Sequence, residues 1–221
     1  MSTAVTEPVA PSTRSPFALL READEAEEVL ILTYAANLDF FERFALGQAR
    51  SLQAATSVIS DAAMVVADPA TVGRAGLRYV EARAVCPGRS AFHPELLVIA
   101  SRERATVAIG SGNLTLAGWH GNEELWSIVR AARDRGVTTI REVASFLRSL
   151  AEGPIQLSAE APPALTQVAE LLESMSTDEP GPRLVSTLGG PIIDELPTGP
   201  VEELIVYAPF YDARLRALQA L

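Results

Sequence analysis

The side chains of this 221-residue chain best suited to chemistry fall in one stretch. It opens with Phe92-His93-Pro94-Glu95 ahead of the apolar run Leu96 to Ile99. It continues through Val107-Ala108-Ile109-Gly110-Ser111-Gly112-Asn113-Leu114-Thr115 and closes on Gly121-Asn122-Glu123-Glu124. An imidazole at a strand start can attack an electrophile or carry a proton. A Gly-Ser-Gly-Asn turn offers a hydroxyl, an amide and backbone N–H groups that glycine leaves accessible. Together these groups suit the holding of a phosphoryl group. Alternation puts His93 and Glu95 on one face of a strand predicted over 92–99. If that strand pairs as a hairpin with one over 105–109, the glycine turn lies at the same sheet end as His93.

Other readings of these residues fail on their own terms. Gly110-x-Gly112 is followed by Thr115 where a dinucleotide-binding loop needs its third glycine. A Walker loop needs a lysine, and all 18 basic residues here are arginine. Ser111 does not sit in the G-x-S-x-G elbow of a serine hydrolase. His93 and His120 are the two histidines and Cys86 the one cysteine, so a metal centre would lean on carboxylates and no intramolecular disulfide can form. His120, in a Trp-His-Gly loop, reads as a surface residue. Cys86, before Pro87, reads as a packed, inert thiol. Glu95 reads as a solvated or arginine-paired carboxylate.

These residues need a scaffold, and the surrounding sequence predicts one. Ser15-Pro16 starts a helix that runs to about Glu28, with Ser15 as cap and Pro16 in the first turn. The apolar, β-favouring run over 29–34 follows as a buried strand. Asn37 caps a helix over 38–52. Short strands are predicted over 56–60, 64–67 and 78–85, then 92–99, 105–109 and 124–129. Thr139-x-x-Glu142 is a capping-box pattern for a helix that Gly153 would end, and 163–174 is a second amphipathic helix. Alternating strands and helices give an α/β fold, an α+β sandwich with a mixed central sheet flanked by helices. The strands at 29–34, 92–99, 105–109 and 124–129 are expected in one sheet. The helices over 16–28 and 38–52 are expected to cover its two faces.

Charge is uneven along the chain. The formal net charge is −10, which argues against a protein held to nucleic acid or an anionic membrane by bulk charge alone. Residues 74–148 nevertheless carry 11 arginines against 7 acids, net +4, while 151–221 carry 3 against 11, net −8. That tail also holds nine of the 15 prolines. No apolar run approaches the roughly 20 residues of a membrane span. The N-terminus lacks a cationic start followed by an apolar core, so a cytoplasmic protein is expected.

The spacing of His93, the Gly110-Ser111-Gly112-Asn113-Leu114-Thr115 turn and the Asn122-x-Glu124 ending resembles the phospholipase D superfamily, in its bacterial nuclease-like branch. The resemblance covers about residues 27–130. It implies a phospholipase D-like sheet and a phosphodiesterase or nuclease that needs no metal or other cofactor. It implies nucleic acid as partner, DNA ahead of RNA, and a homodimer or a subunit of a larger complex, with a bacterial defence or restriction setting. By the same resemblance His93, Asn113 and Glu124 are the catalytic residues: His93 as nucleophile or acid, Asn113 on the phosphate, Glu124 orienting the imidazole. Ser111, Gly110 and Thr115 would bind substrate.

One position departs from the pattern: the lysine of His-x-Lys is Glu95. A carboxylate repels the anion a lysine would hold, so the chain alone is expected to be inactive unless Arg102 or Arg104 substitutes from the turn. The alternative function is a catalytically silent scaffold or nucleic-acid-binding subunit. The domain expectation is a flexible 1–15, a phospholipase D-like domain over 16–150, a proline-rich acidic connection with one helix over 151–200, and at 201–221 the start of a second repeat. That start echoes 27–39 and would continue past Leu221.

Overall fold

In the computed structural model the described residues are 14–68, 70–88, 90–133, 135–175, 177–196, 199–200, 202–203, 214–215 and 219. The predicted flexible N-terminus and second-repeat start therefore fall almost wholly outside the described residues. The chain divides into two units, 1–183 and 184–221. Of the second, the structure describes a short 3-10 turn at Ile192–Glu195.

The apolar run forms β1 (Glu28–Thr33), buried along its whole length. Apolar side chains on both faces demand a layer on each side and neighbours on each edge. β1 accordingly lies inside a mixed sheet, parallel to β3 (Ala55–Asp61) and antiparallel to β6 (Leu96–Ala100). β5 (Val80–Val85) continues the parallel side, and β9 (Gln156–Leu157) closes that edge. On the other side β6, β7 (Arg104–Gly110) and β8 (Trp126–Ala132) form an antiparallel meander. The order across seven strands is β8-β7-β6-β1-β3-β5-β9. A separate pair, β2 (Ala36–Asn37) and β4 (Val65–Val66), sits beside the exit of β1. The strands expected to share one sheet do share it.

The crossover from β1 to β3 runs through α2 (Leu38–Phe40), a π-helical turn at Phe41–Ala45 and α3 (Leu46–Ser51), one continuous helical path as predicted. Asn37 caps it, its Oδ1 accepting the Phe40 N–H at 2.9 Å. Ser15 caps α1 (Pro16–Glu22), which stops at Glu22 rather than Glu28.

The layering differs from the expectation. Val58, Ile31, Leu97, Ala108 and Ile128 stand in register across five strands. They join one core with Leu19 and Leu20 of α1 and Phe41, Leu46 and Ala49 of the crossover. Both early helices thus cover the same face. The alternate residues Leu30, Leu32, Ile59 and Val98 are also buried. Their cover includes α5 (Ala161–Glu173), which packs across β1, β3, β5 and β6 and in turn against α4 (Thr138–Glu152). The segment read as a connection therefore supplies one strand and a core helix, because Leu165, Val168, Ala169 and Leu172 give α5 a continuous apolar face.

Two local expectations change. The capping box does not form, since Val137 occupies the cap position and buried Thr139 gives its hydroxyl to the Pro182 carbonyl. β6 starts at Leu96 rather than 92, because Pro94 has no N–H for a ladder and Asp61 Oδ2 takes the Phe92 N–H at 2.9 Å.

Candidate functional site

The strand directions define the site. β1, β3 and β5 run together, β7 runs with them, and β6 and β8 run against them. One end of the sheet therefore collects the C-termini of β1, β3, β5 and β7 with the N-termini of β6 and β8. His93 and Glu95 precede β6, Gly110 to Asn113 follow β7, and Asn122 to Glu124 precede β8. All reach that end.

His93 is exposed, and its ring packs on Tyr34 with centroids 4.3 Å apart. Its Nε2 lies 3.8 Å from Glu95 Oε1. Pro94 and Glu95 lie in the extended segment ahead of β6, so it is this loop, not strand alternation, that brings imidazole and carboxylate together. Glu95 is neither solvated nor paired with arginine, as its sequence reading expected. Its side chain is 5% exposed and turned toward the exit of β1. There Oε2 accepts the Thr33 hydroxyl at 2.7 Å and Oε1 the Tyr34 N–H at 3.0 Å. Burial pushes the Glu95 carboxyl up to about 7; the Tyr34 and Thr33 hydrogen bonds pull it down, and the Glu124 charge raises it.

The glycine turn is tied to the same β1 exit. Asn113 Oδ1 accepts the Ala35 N–H at 2.6 Å, and the Leu114 N–H donates to Thr33 Oγ1 at 3.1 Å. The Leu114 carbonyl then takes the Asn37 N–H at 2.8 Å. Glycine at 112 and 118 is required by close approach. A Cβ on Gly112 would overlap the Gly118 carbonyl oxygen, and one on Gly118 the Asn113 carbonyl oxygen.

Several expected donors are already engaged. The Gly110 N–H bonds the Glu95 carbonyl at 3.0 Å, and the Ser111 N–H the Leu125 carbonyl at 3.1 Å. Gly110 is the last residue of β7. Thr115 Oγ1 accepts the Gly118 N–H at 3.0 Å, so its hydroxyl is engaged at the entry to the π-helical turn at Ala117–Gly121. Glu124 accepts the Ser111 hydroxyl at 2.5 Å and the Asn122 amide at 3.2 Å. Its hydrogen bonds thus orient the turn serine rather than the imidazole.

Arg102 and Arg104 cannot stand in for the missing lysine. Arg102 sits in the β6–β7 turn and Arg104 at the start of β7, at the opposite sheet end, near Glu27 and Asp24 respectively at 3.5 Å each. The five residues of β6 put roughly 16 Å between the two ends. His120 is exposed in its turn, as read. Cys86 is half-buried, and burial together with the Asp61 charge raises its thiol, as an inert group requires.

Sequence reasoning missed Thr33, Tyr34 and Asp61. Asp61 is buried at the end of β3, its two oxygens accepting the Ala63 and Phe92 N–H groups at 2.9 Å each. It thereby fixes the segment that carries His93. The available signal was the polar end of each apolar run, Thr33-Tyr34 and Ser60-Asp61. Among the described residues no group of three or more His, Cys, Asp or Glu is arranged to hold a metal ion. Among them, too, no helix is long and apolar enough to cross a membrane.

No protein-family model and no curated protein sequence matches the chain. Solved structures do. One mutant of yeast tyrosyl-DNA phosphodiesterase superposes with a TM-score of 0.54 at 11% identity, covering 72% of this chain and 36% of that one. The enzyme without mutation gives 0.52 at 10% identity, with 72% and 37% covered. NucT from Helicobacter pylori gives 0.37 at 14% identity, with 50% and 71% covered. The chain thus spans a little over a third of the yeast enzyme. This chain therefore shares its fold with the matching part of tyrosyl-DNA phosphodiesterase.

Proposed function

We propose that this chain is a phospholipase D-like module that engages the phosphodiester backbone of nucleic acid, DNA ahead of RNA, and that its own half-site is silent in cleavage. The observation that carries the reading is that His93 and the Gly110-Ser111-Gly112-Asn113 turn lie at one sheet end, each held at the exit of β1: His93 packs on Tyr34, Asn113 accepts the Ala35 N–H and Leu114 donates to Thr33. The fold is shared with an enzyme whose name gives DNA as its substrate. His93 and the Asn113 amide are the groups that would meet the phosphate. Ser111 lines the turn, positioned by Glu124. Gly110 and Thr115 build the turn rather than touch substrate.

Silence follows from Glu95. The family places a lysine there to hold phosphate oxygens, whereas this chain places a buried carboxyl that serves the scaffold. Loss of one donor to a developing oxyanion alone costs about 10²–10³ in rate. A complete site would need a cationic half from a second copy or another subunit. A defence or restriction assembly is one setting for such a pairing, carried by the family resemblance alone.

The test uses the 221-residue chain. It should bind a labelled oligonucleotide and leave both that DNA and bis(p-nitrophenyl) phosphate uncleaved, with or without divalent metal. Cleavage abolished by His93→Ala would overturn the silence. Absence of binding would overturn the nucleic-acid reading.

A further inference from the structure

The Glu95 carboxyl is a buried acid at the candidate site, and its surroundings can satisfy either of its charge states. The Thr33 hydroxyl has two acceptors in reach, Glu95 Oε2 at 2.7 Å and the Ala35 carbonyl at 3.2 Å. Its oxygen meanwhile accepts the Leu114 N–H. When Glu95 is ionised, Thr33 donates to it. When Glu95 is protonated, the acid can donate to Thr33 Oγ1 and Thr33 can donate to Ala35, while Glu95 Oε1 still accepts the Tyr34 N–H. The tie between β1 and the glycine turn survives in both states. What changes is one unit of negative charge, 3.8 Å from the exposed imidazole.

We propose that Glu95 is a proton gate on phosphodiester binding, admitting the anion beside His93 when neutral and expelling it when ionised. The gate rests on the reading of this sheet end as a nucleic-acid site and adds the condition under which that site is open. Among the described residues, the ionisable groups placed against Glu95 are His93 on its own segment, whose ring packs on Tyr34 at the exit of β1, and Glu124 ahead of β8. Glu124 is held by Ser111 and Asn122, and its charge opposes a second negative charge nearby. Burial acts in the same direction and lifts Glu95 to about 7, so the gate turns over near neutrality. The carboxylate that a comparison of motifs reads as charge reversal is therefore neutral on the acid side of that point.

The experiment is oligonucleotide binding by the wild-type chain and by Glu95→Gln, across about pH 5.5 to 8.5. Glutamine keeps an acceptor for Tyr34 and a donor for Thr33 but cannot ionise. The readout is the ratio of the two affinities, in which titrating groups remote from residue 95 cancel. The ratio should be near one at the acid end. At the alkaline end the variant should bind about tenfold tighter, the order expected for a charge a few ångströms from phosphate after screening.

A ratio that stays flat while both proteins bind overturns the gate and leaves the nucleic-acid reading standing. No binding by either protein at any pH overturns both. Carbon-13 NMR of the Glu95 carboxyl supplies a check that needs no ligand. A midpoint near 7 supports the gate, and one near the ordinary 4.5 overturns it.

Discussion

Replacing Glu95 by the lysine of the His-x-Lys pattern should damage the protein rather than activate it. The carboxylate is 5% exposed and is the acceptor for Tyr34 N–H and Thr33 O–H. Lysine brings donors only. Thr33 can turn to the Ala35 carbonyl at 3.2 Å, so its loss is small. The Tyr34 N–H has no such alternative, and an orphaned buried donor costs about 1–3 kcal/mol. An ammonium in the same place adds a desolvation cost of a few kcal/mol, as an uncompensated buried charge does. The sum is about 3–5 kcal/mol, a large part of the 5–15 kcal/mol typical of a domain. Urea unfolding near pH 7 of the wild type, Glu95→Gln and Glu95→Lys measures it. Glutamine should stay within about 1 kcal/mol of the wild type, since it keeps an acceptor and a donor. A lysine variant as stable as the wild type would show that residue 95 can face outward. The carboxylate would then not be what fastens the His93 segment to the exit of β1.

Two further perturbations test the scaffold. Glu28, 4% exposed at the start of β1, is raised to about 7 by burial and by Glu27, so its contribution to stability is full below about 4.5 and lost as pH rises through 7. Glu28→Gln should leave stability unchanged near pH 4 and raise it by about 2–3 kcal/mol near pH 8, measured by urea unfolding at the two pH values. Asp61→Ala strips the acceptor from the Ala63 and Phe92 N–H groups and should cost about 2–4 kcal/mol in the same assay. It should also shift the His93 ring protons in NMR, because Phe92 anchors that segment.

Much of the scaffold could be read from pattern. The apolar run over 29–34 had to be an interior strand, and Ser15-Pro16 and Asn37 marked helix starts through side-chain oxygens that the structure uses as caps. What pattern could not give was which face each helix covers. That depends on the crossover from β1 to β3 and on α5 returning from a segment whose prolines suggested irregular chain, although two of them, Pro162 and Pro163, fall in the first turn of a helix. At the site, the residue types of the turn were legible, and their obligations were not. Thr115 and Gly110 look available in a motif, yet one is engaged at the entry to a turn and the other ends a strand. Glu95 looks like a surface acid because its partners, Thr33 and Tyr34, are more than 60 residues away in sequence.

Where nucleic acid touches this chain is the deciding observation, and amide NMR during titration with a short single-stranded oligonucleotide reads it residue by residue. Titrated below pH 7, the largest shifts should fall on Tyr34, His93, Ser111 and Asn113, with the Asn113 side-chain amide among them. A cavity of about 800 Å³ at the opposite sheet end, lined in part by Arg102, Arg133, Gln167 and Glu170, is the competing location. Shifts confined to that cavity would contradict the claim that His93 and the glycine turn form the site.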